Sequence, residues 1–166
     1  GMFADVEGLG ARVRDHCGGV GAIARVLAVE WRHGGADHVF LSALLHDVGK
    51  LLMMQAGEPR YELFSAEELA TPDSVHARER ELTGYDHAVL GAHVIEAWQL
   101  PHEVGRAVAL HHQPGRAFEE GGDLGLAVSL IRLADRVEAE LAAGRAISDA
   151  FAEAHGRDEA AQYSGF

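Results

Sequence analysis

The sequence predicts an all-α protein, a single-domain helical bundle of about six to eight helices. Three observations carry this. Apolar residues make up 48% of the 166 and recur at helical spacing. No alternating apolar–polar run is long enough to read as a strand. The length suits one domain with a real hydrophobic core. No repeat, low-complexity segment or linker divides the chain. Residues 1–166 therefore read as one domain, with a core over about 10–143 and a peripheral tail at 144–166.

Helices are expected near 3–15, 18–32, 36–54, 65–82, 86–99, 101–112, 123–143 and 147–155. The first two meet near His16. Gly34-Gly35 separates the second from the third, and the stretch from Gln55 to Pro59 ends the third. Ser65 and Glu68 offer a capping box for the fourth. Thr71-Pro72-Asp73 breaks or restarts that helix, since proline suits a first turn. Gly84 can close it, and Asp86 can cap the fifth. Leu100-Pro101 is a sharp junction before the sixth. A loop at 112–123, with Pro114, Gly115, Gly121 and Gly122, leads into the seventh.

The net charge of −12 argues against non-specific binding to nucleic acid or acidic lipid, because the long-range field repels phosphates. A local cationic or metal site could still take a phosphate. One cysteine, Cys17, rules out an intrachain disulfide. No secretory signal is read and no apolar run is judged long enough to span a bilayer, so a cytoplasmic location is expected. Two tallies stand out: 11 histidines, and a single lysine, Lys50, among the 14 basic residues.

That lysine ends the stretch LSALLHDVGK, residues 41–50. At about 100° per residue, Phe40, Leu44 and Leu51 form one apolar face, and Leu41, Leu45, Val48 and Leu52 another. His46, Asp47 and Lys50 share the remaining sector with the small residues Ser42, Ala43 and Gly49. A carboxylate in such a hollow needs a partner. A buried Asp47–Lys50 ion pair with a satisfied histidine explains the trio as well as a metal site does.

A hydrolytic metal centre needs more N and O donors and an open position for water. The chain supplies candidates elsewhere. His16 precedes His46 on another helix. His87 opens a helix in GYDHAVLGAHV, with Gly91 four residues on to admit a close neighbour. His111-His112 ends the next. Asp135, in LIRLADRVE, sits at the edge of the stripe Leu126, Leu130, Ala134, Val137 and Leu141, so it points partly inward.

This set resembles the HD-domain superfamily of metal-dependent phosphohydrolases. The segments LLHDVGKLL, GYDHAVLGAHVIEAWQLP, AVALHHQP and IRLAD resemble its HDOD branch more sharply. Gly84, Asp86, His87, Gly91, Trp98, Leu100 and Pro101 fill that branch's second motif, and DHC at 15–17 is similar to its first-histidine motif. The resemblance implies an HD-type bundle with His16, His46, Asp47, His87, His111, His112 and Asp135 as metal ligands. It implies one or two divalent transition metals, Fe, Mn, Zn or Ni. His16, His46, Asp47 and Asp135 would hold one ion, and Asp47 would bridge to a second at His87 and His111 or His112. Gln113-Pro114-Gly115 follows the His-His pair where the HD-GYP branch has its own motif, which disfavours cyclic di-GMP hydrolysis. Arg12 stands where some HD-GYP enzymes place a glutamate for a third metal, so no more than two ions are expected.

The implied function is hydrolysis of a phosphomonoester, phosphodiester or nucleotide by a metal-bound hydroxide, in bacterial signalling. Asp47 and Lys50 are the catalytic candidates, Lys50 neutralising a phosphate oxygen as a compact charge. The partner is then a phosphorylated small molecule or nucleotide. The alternative is a non-catalytic signal-transduction module binding metal, a nucleotide or a signalling protein. Glu81 could support a ligating histidine, but a solvated helix charge is the favoured reading. His33, His38, His76, His102 and His155 are expected at the surface, and His93 is left out because it faces away from His87.

Overall fold

The computed structural model describes residues 2–31, 34–65, 67–68 and 71–157. They form nine α-helices: α1 (Met2–Glu30), α2 (Ala36–Leu45), α3 (Val48–Ala56), α4 (Pro72–Thr83), α5 (His87–Ala97), α6 (His102–Leu110), α7 (Pro114–Glu120), α8 (Gly122–Ala142) and α9 (Ile147–Arg157). A single 3-10 turn lies at Tyr61–Leu63, and no strand occurs among the described residues. The all-α expectation holds.

Four boundaries differ from expectation, each for a physical reason. The first two expected helices are one. Cys17, Val20, Ala24, Leu27 and Ala28 keep a buried stripe along α1, which packs against α2 and α8. That burial outweighs the propensity cost of Gly18 and Gly19, about 1 kcal/mol each. The expected helix at 36–54 is instead two, α2 and α3. His46 ends α2, and Asp47 leaves helical geometry at φ −104° and ψ 10°. Ser65 and Glu68 do exchange bonds, at 2.7 and 3.2 Å, but they close a turn. Helix α4 starts at Pro72, behind a second box made by Thr71 and Ser74. Pro72 holds Thr71 extended, so the helix cannot begin earlier. Finally, the expected loop at 112–123 contains α7, begun by Pro114 in its first turn and anchored by buried Ala117.

Other local signals act as read. Asp86 caps α5 by accepting from the Val89 N–H at 2.9 Å, and Gly84 closes α4 in the left-handed region at φ 81°. Ala36–Ala56 does reach membrane-span length and composition, with mean hydropathy 1.2, contrary to expectation. That stretch is two helices, and it turns His46 and Asp47 into the bundle.

The main core joins α1, α2, α6, α7, α8 and α9 around Val20, Val128, Leu130 and Ile131. A second cluster gathers Met53, Tyr61, Phe64 and Val75, and a third Ile95, Val104 and Val108. The break between α2 and α3 is held against α5 by backbone contact. A Cβ added at Gly49 would lie 2.0 Å from the His87 carbonyl oxygen. A Cβ at Gly91 would meet Val48 and Val108 at 3.3 and 3.2 Å. Only glycine at 49 lets the two helices approach this closely.

Gly49→Ala must therefore push α3 away from α5. We expect a loss of about 3 kcal/mol and a fall in Tm of roughly 6–12 °C, by thermal circular dichroism. Gly18→Ala, where an added Cβ meets nothing within 4 Å, should be neutral or stabilise by up to about 1 kcal/mol.

Candidate metal centre

Helix ends build this region. His46 ends α2, Asp47 precedes α3, His87 is the first residue of α5, and His111 ends α6 with His112 just after. An N-cap aspartate ordinarily bonds the first turn's N–H groups. Asp47 makes no such bond. Its carboxylate turns instead toward the histidines. Helices α1 and α8 bring His16 and Asp135 against the same place.

All seven expected ligand residues come together, in two adjoining groups. Asp47, His87, His111 and His112 form one, and His16, His46 and Asp135 the other, with ligand atoms inside each group no more than 4.8 Å apart. In the first, His87 Nε2 lies 3.1 Å from Asp47 Oδ1, 3.1 Å from His112 Nε2 and 3.4 Å from His111 Nε2. In the second, His16 Nε2 lies 3.1 Å from Asp135 Oδ1, and the His16 and His46 rings are 5.4 Å apart. The groups meet at Asp47, whose Oδ2 is 3.6 Å from His46 Nε2. Lys50 donates to that same Oδ2 at 2.6 Å, so the ion pair read from the sequence is present as well.

Each ring is held from behind. His46 Nδ1 donates to the Ala43 carbonyl and His111 Nδ1 to the Val108 carbonyl, both at 2.7 Å. His112 Nδ1 bonds Asp73 at 2.8 Å, and His87 and His16 bond Glu79 and Glu138 at 2.5 Å each. A carbonyl only accepts, so His46 and His111 carry their proton on Nδ1 and turn a lone pair inward at Nε2.

Charge follows the same plan. Burial lowers the pKa of His46, and burial with neighbouring His112 lowers that of His111 further. Burial brings His112 down to about 4, against the pull of Asp73. These rings stay neutral. Burial and Lys50 lower the His87 pKa, yet Asp47 and Glu79 outweigh them and raise it. Burial likewise lowers His16, but Asp135 dominates and raises it to about 9. Burial would raise Asp47, while Lys50, then His46 and His87, hold it well below the usual carboxylate range. Asp47 Oδ1 is buried and has no hydrogen-bond partner. With His111 and His112 neutral, their Nε2 lone pairs and the Asp47 carboxylate converge on one place that a cation would satisfy, displacing the extra proton of His87. The donor set thus fits a divalent cation. Cys17 also lies within reach of His46 and Asp47, but burial raises its thiol to about 12 and it packs neutral.

Some supporting residues fall elsewhere than expected. Glu81 is exposed and pairs with Arg78, in keeping with the solvated helix charge favoured for it, so it is not the carboxylate behind a ligand. Glu79 is, fully buried, accepting from His87 N–H at 2.9 Å and from Tyr61 Oη at 2.6 Å. His76 was expected at the surface but is buried, 3.2 Å from Asp86 and with its ring 4.8 Å from that of His112. Asp73, gripped by both Arg132 nitrogens at 3.2 Å, was read only as part of a helix start, and Glu138 was not read. Val75, His76 and Glu79 share the inner face of α4, a helical spacing visible in the sequence, whereas apolar Leu82 lies outward. His38, His93 and His102 are exposed as expected; His33 and the His155 side chain lie outside the described residues.

A helical bundle that gathers histidines and aspartates from separate helix ends around one buried carboxylate defines a class of domain. The chain belongs to the HDOD domain family, which matches residues 10–114. Asp135 and Glu138 lie beyond the matched span. Two solved structures share the fold. A "Putative phosphohydrolase" from Shewanella amazonensis SB2B aligns with TM-score 0.66 at 18% identity, over 93% of this chain and 62% of that one. An HDOD domain protein with unknown function from Geobacter sulfurreducens aligns with TM-score 0.64 at 17% identity, over 92% of this chain and 56% of that one. The chain thus spans less than two thirds of either. Curated proteins give no match.

The two glutamates of α4 separate cleanly in experiment. Glu79→Ala strands buried donors from Tyr61 and His87 and should cost about 3 kcal/mol in urea unfolding. Glu81→Ala should stay within about 0.5 kcal/mol.

Proposed function

We propose that the protein is a metal-dependent phosphohydrolase acting on a phosphomonoester, phosphodiester or nucleotide, with a role in bacterial signalling. One observation carries the reading: the buried Asp47 Oδ1 lies among imidazole nitrogens, 3.1 Å from His87 Nε2 and 4.0 Å from His111 Nε2, with no well-aligned hydrogen bond. His87, His111 and His112 would hold an ion with Oδ1, and His16, His46 and Asp135 a second beside Oδ2. Lys50 also donates to Oδ2. Mixed imidazole and carboxylate donors suit Fe, Mn, Zn or Ni better than Ca. Such an ion supplies Lewis-acid polarisation of the phosphoryl group and activation of water.

The chain's own residues supply the rest. Burial lowers the Lys50 pKa, but Asp47 overrides this and keeps its ammonium charged. That ammonium binds a phosphate oxygen and offsets charge in the transition state. The Nδ1 partners hold each ring in orientation, so little rearrangement accompanies the reaction. The net charge of −12 opposes phosphate at long range, and Lys50 counters it locally.

Elemental analysis of purified protein should find up to two transition-metal ions per chain. Asp47→Ala should lose the metal and slow bis(p-nitrophenyl) phosphate or nucleotide hydrolysis by about a thousandfold or more. Glu81→Ala should retain both. Full occupancy with Fe, Mn, Zn or Ni and no turnover of any phosphoester would instead mark a non-catalytic module.

A further inference from the structure

A cavity of about 450 Å³ opens beside the cluster, and its two ends differ in chemistry. One end carries His16, Asp47 and Lys50. The other is walled by Leu9, Met54, Phe64 and Val75. Tyr61 packs in that apolar cluster, and its hydroxyl is committed to Glu79 at 2.6 Å, so it contributes no donor to the cavity. Its ring centre is 5.2 Å from that of Phe64. Arg12, one turn before His16 on α1, lines the same cavity and makes no ion pair among the described residues.

We infer that this cavity selects a phosphate ester with an apolar or aromatic organic part, Arg12 adding a second cation beside Lys50. The inference rests on the hydrolase reading above and names its substrate class. The two cations draw the anionic end toward the cluster. The wall of Leu9, Met54, Phe64 and Val75 rewards an apolar group by taking it out of water. A sugar phosphate would set its hydroxyls against that wall with nothing to bond them, which costs affinity. Volume is sufficient, since small-molecule sites run from about 300 to 1,000 Å³.

Calorimetric titration of the full chain with phenylphosphonate and methylphosphonate, neither of which is hydrolysed, tests this with and without Mn²⁺. The phenyl probe should bind about tenfold more tightly or better. Phe64→Ala and Met54→Gln should each cut that preference below about threefold and leave methylphosphonate affinity unchanged. Arg12→Gln should weaken both probes alike, by about threefold. Met54 is only half-buried, so its variant decides the matter if Phe64→Ala fails to fold. Equal affinity for the probes, no binding of phenylphosphonate, or a preference unmoved by Met54→Gln overturns the inference. A preserved preference without turnover sinks the hydrolase reading alone, and turnover without preference sinks this one alone.

Discussion

The Asp47 carboxylate governs the arrangement around it. It sits at the point where one apolar helix becomes two, buried to 3% exposure, with one oxygen on Lys50 and the other 3.1 Å from His87 Nε2 without a well-aligned hydrogen bond. Taking such a group out of water is expensive, and a single ammonium repays only part of the cost. Burial alone would neutralise it, yet Lys50, His46 and His87 keep it ionised. A partly satisfied polar centre is worse for stability than a packed apolar one. Its presence amid five imidazoles suits a group that could hold a cation, a role no apolar side chain could fill.

The bundle is organised to hold that charge still. His87 is fixed three ways: its N–H and its Nδ1 both engage Glu79, and its carbonyl rests against Gly49. Asp73 ties His112 on one side to Arg132 of α8 on the other, and Arg132 also donates to the His111 carbonyl at 2.8 Å. Glu138, one helical turn after Asp135, backs His16. Carboxylates behind the rings set which nitrogen faces inward, Glu79 from the preceding helix and Asp73 and Glu138 from far along the chain. Site geometry and helix packing are in this way the same set of contacts.

Much of this was legible in the chain, and the gaps are instructive. The family resemblance implied seven ligand residues, and the structure brings all of them together. The break at His46-Asp47 was hidden, because neither residue ends a helix by propensity and LSALLHDVGKLL reads as continuous. The helical wheel still grouped His46, Asp47 and Lys50 because the break spans only two residues. Glu79 and Glu81 could not be told apart by composition. They are two positions apart, on opposite sides of α4, and helix register alone decides between them. An outward Leu82 disguised that register. Asp73 and Glu138 left no local mark, since their partners lie 39 and 122 residues away.

The single lysine finds its explanation in the same geometry. Lys50 lies three residues after Asp47 and reaches only Oδ2, at 2.6 Å. An arginine there would present a planar fork, which pairs best with both oxygens of a carboxylate at once. That pairing would draw Oδ1 away from His87 and His111. Lysine is a point donor: it offsets one oxygen's charge and leaves the other facing the imidazoles. In a chain whose other basic side chains are all arginine, this position alone requires a cation that binds a carboxylate without closing around it.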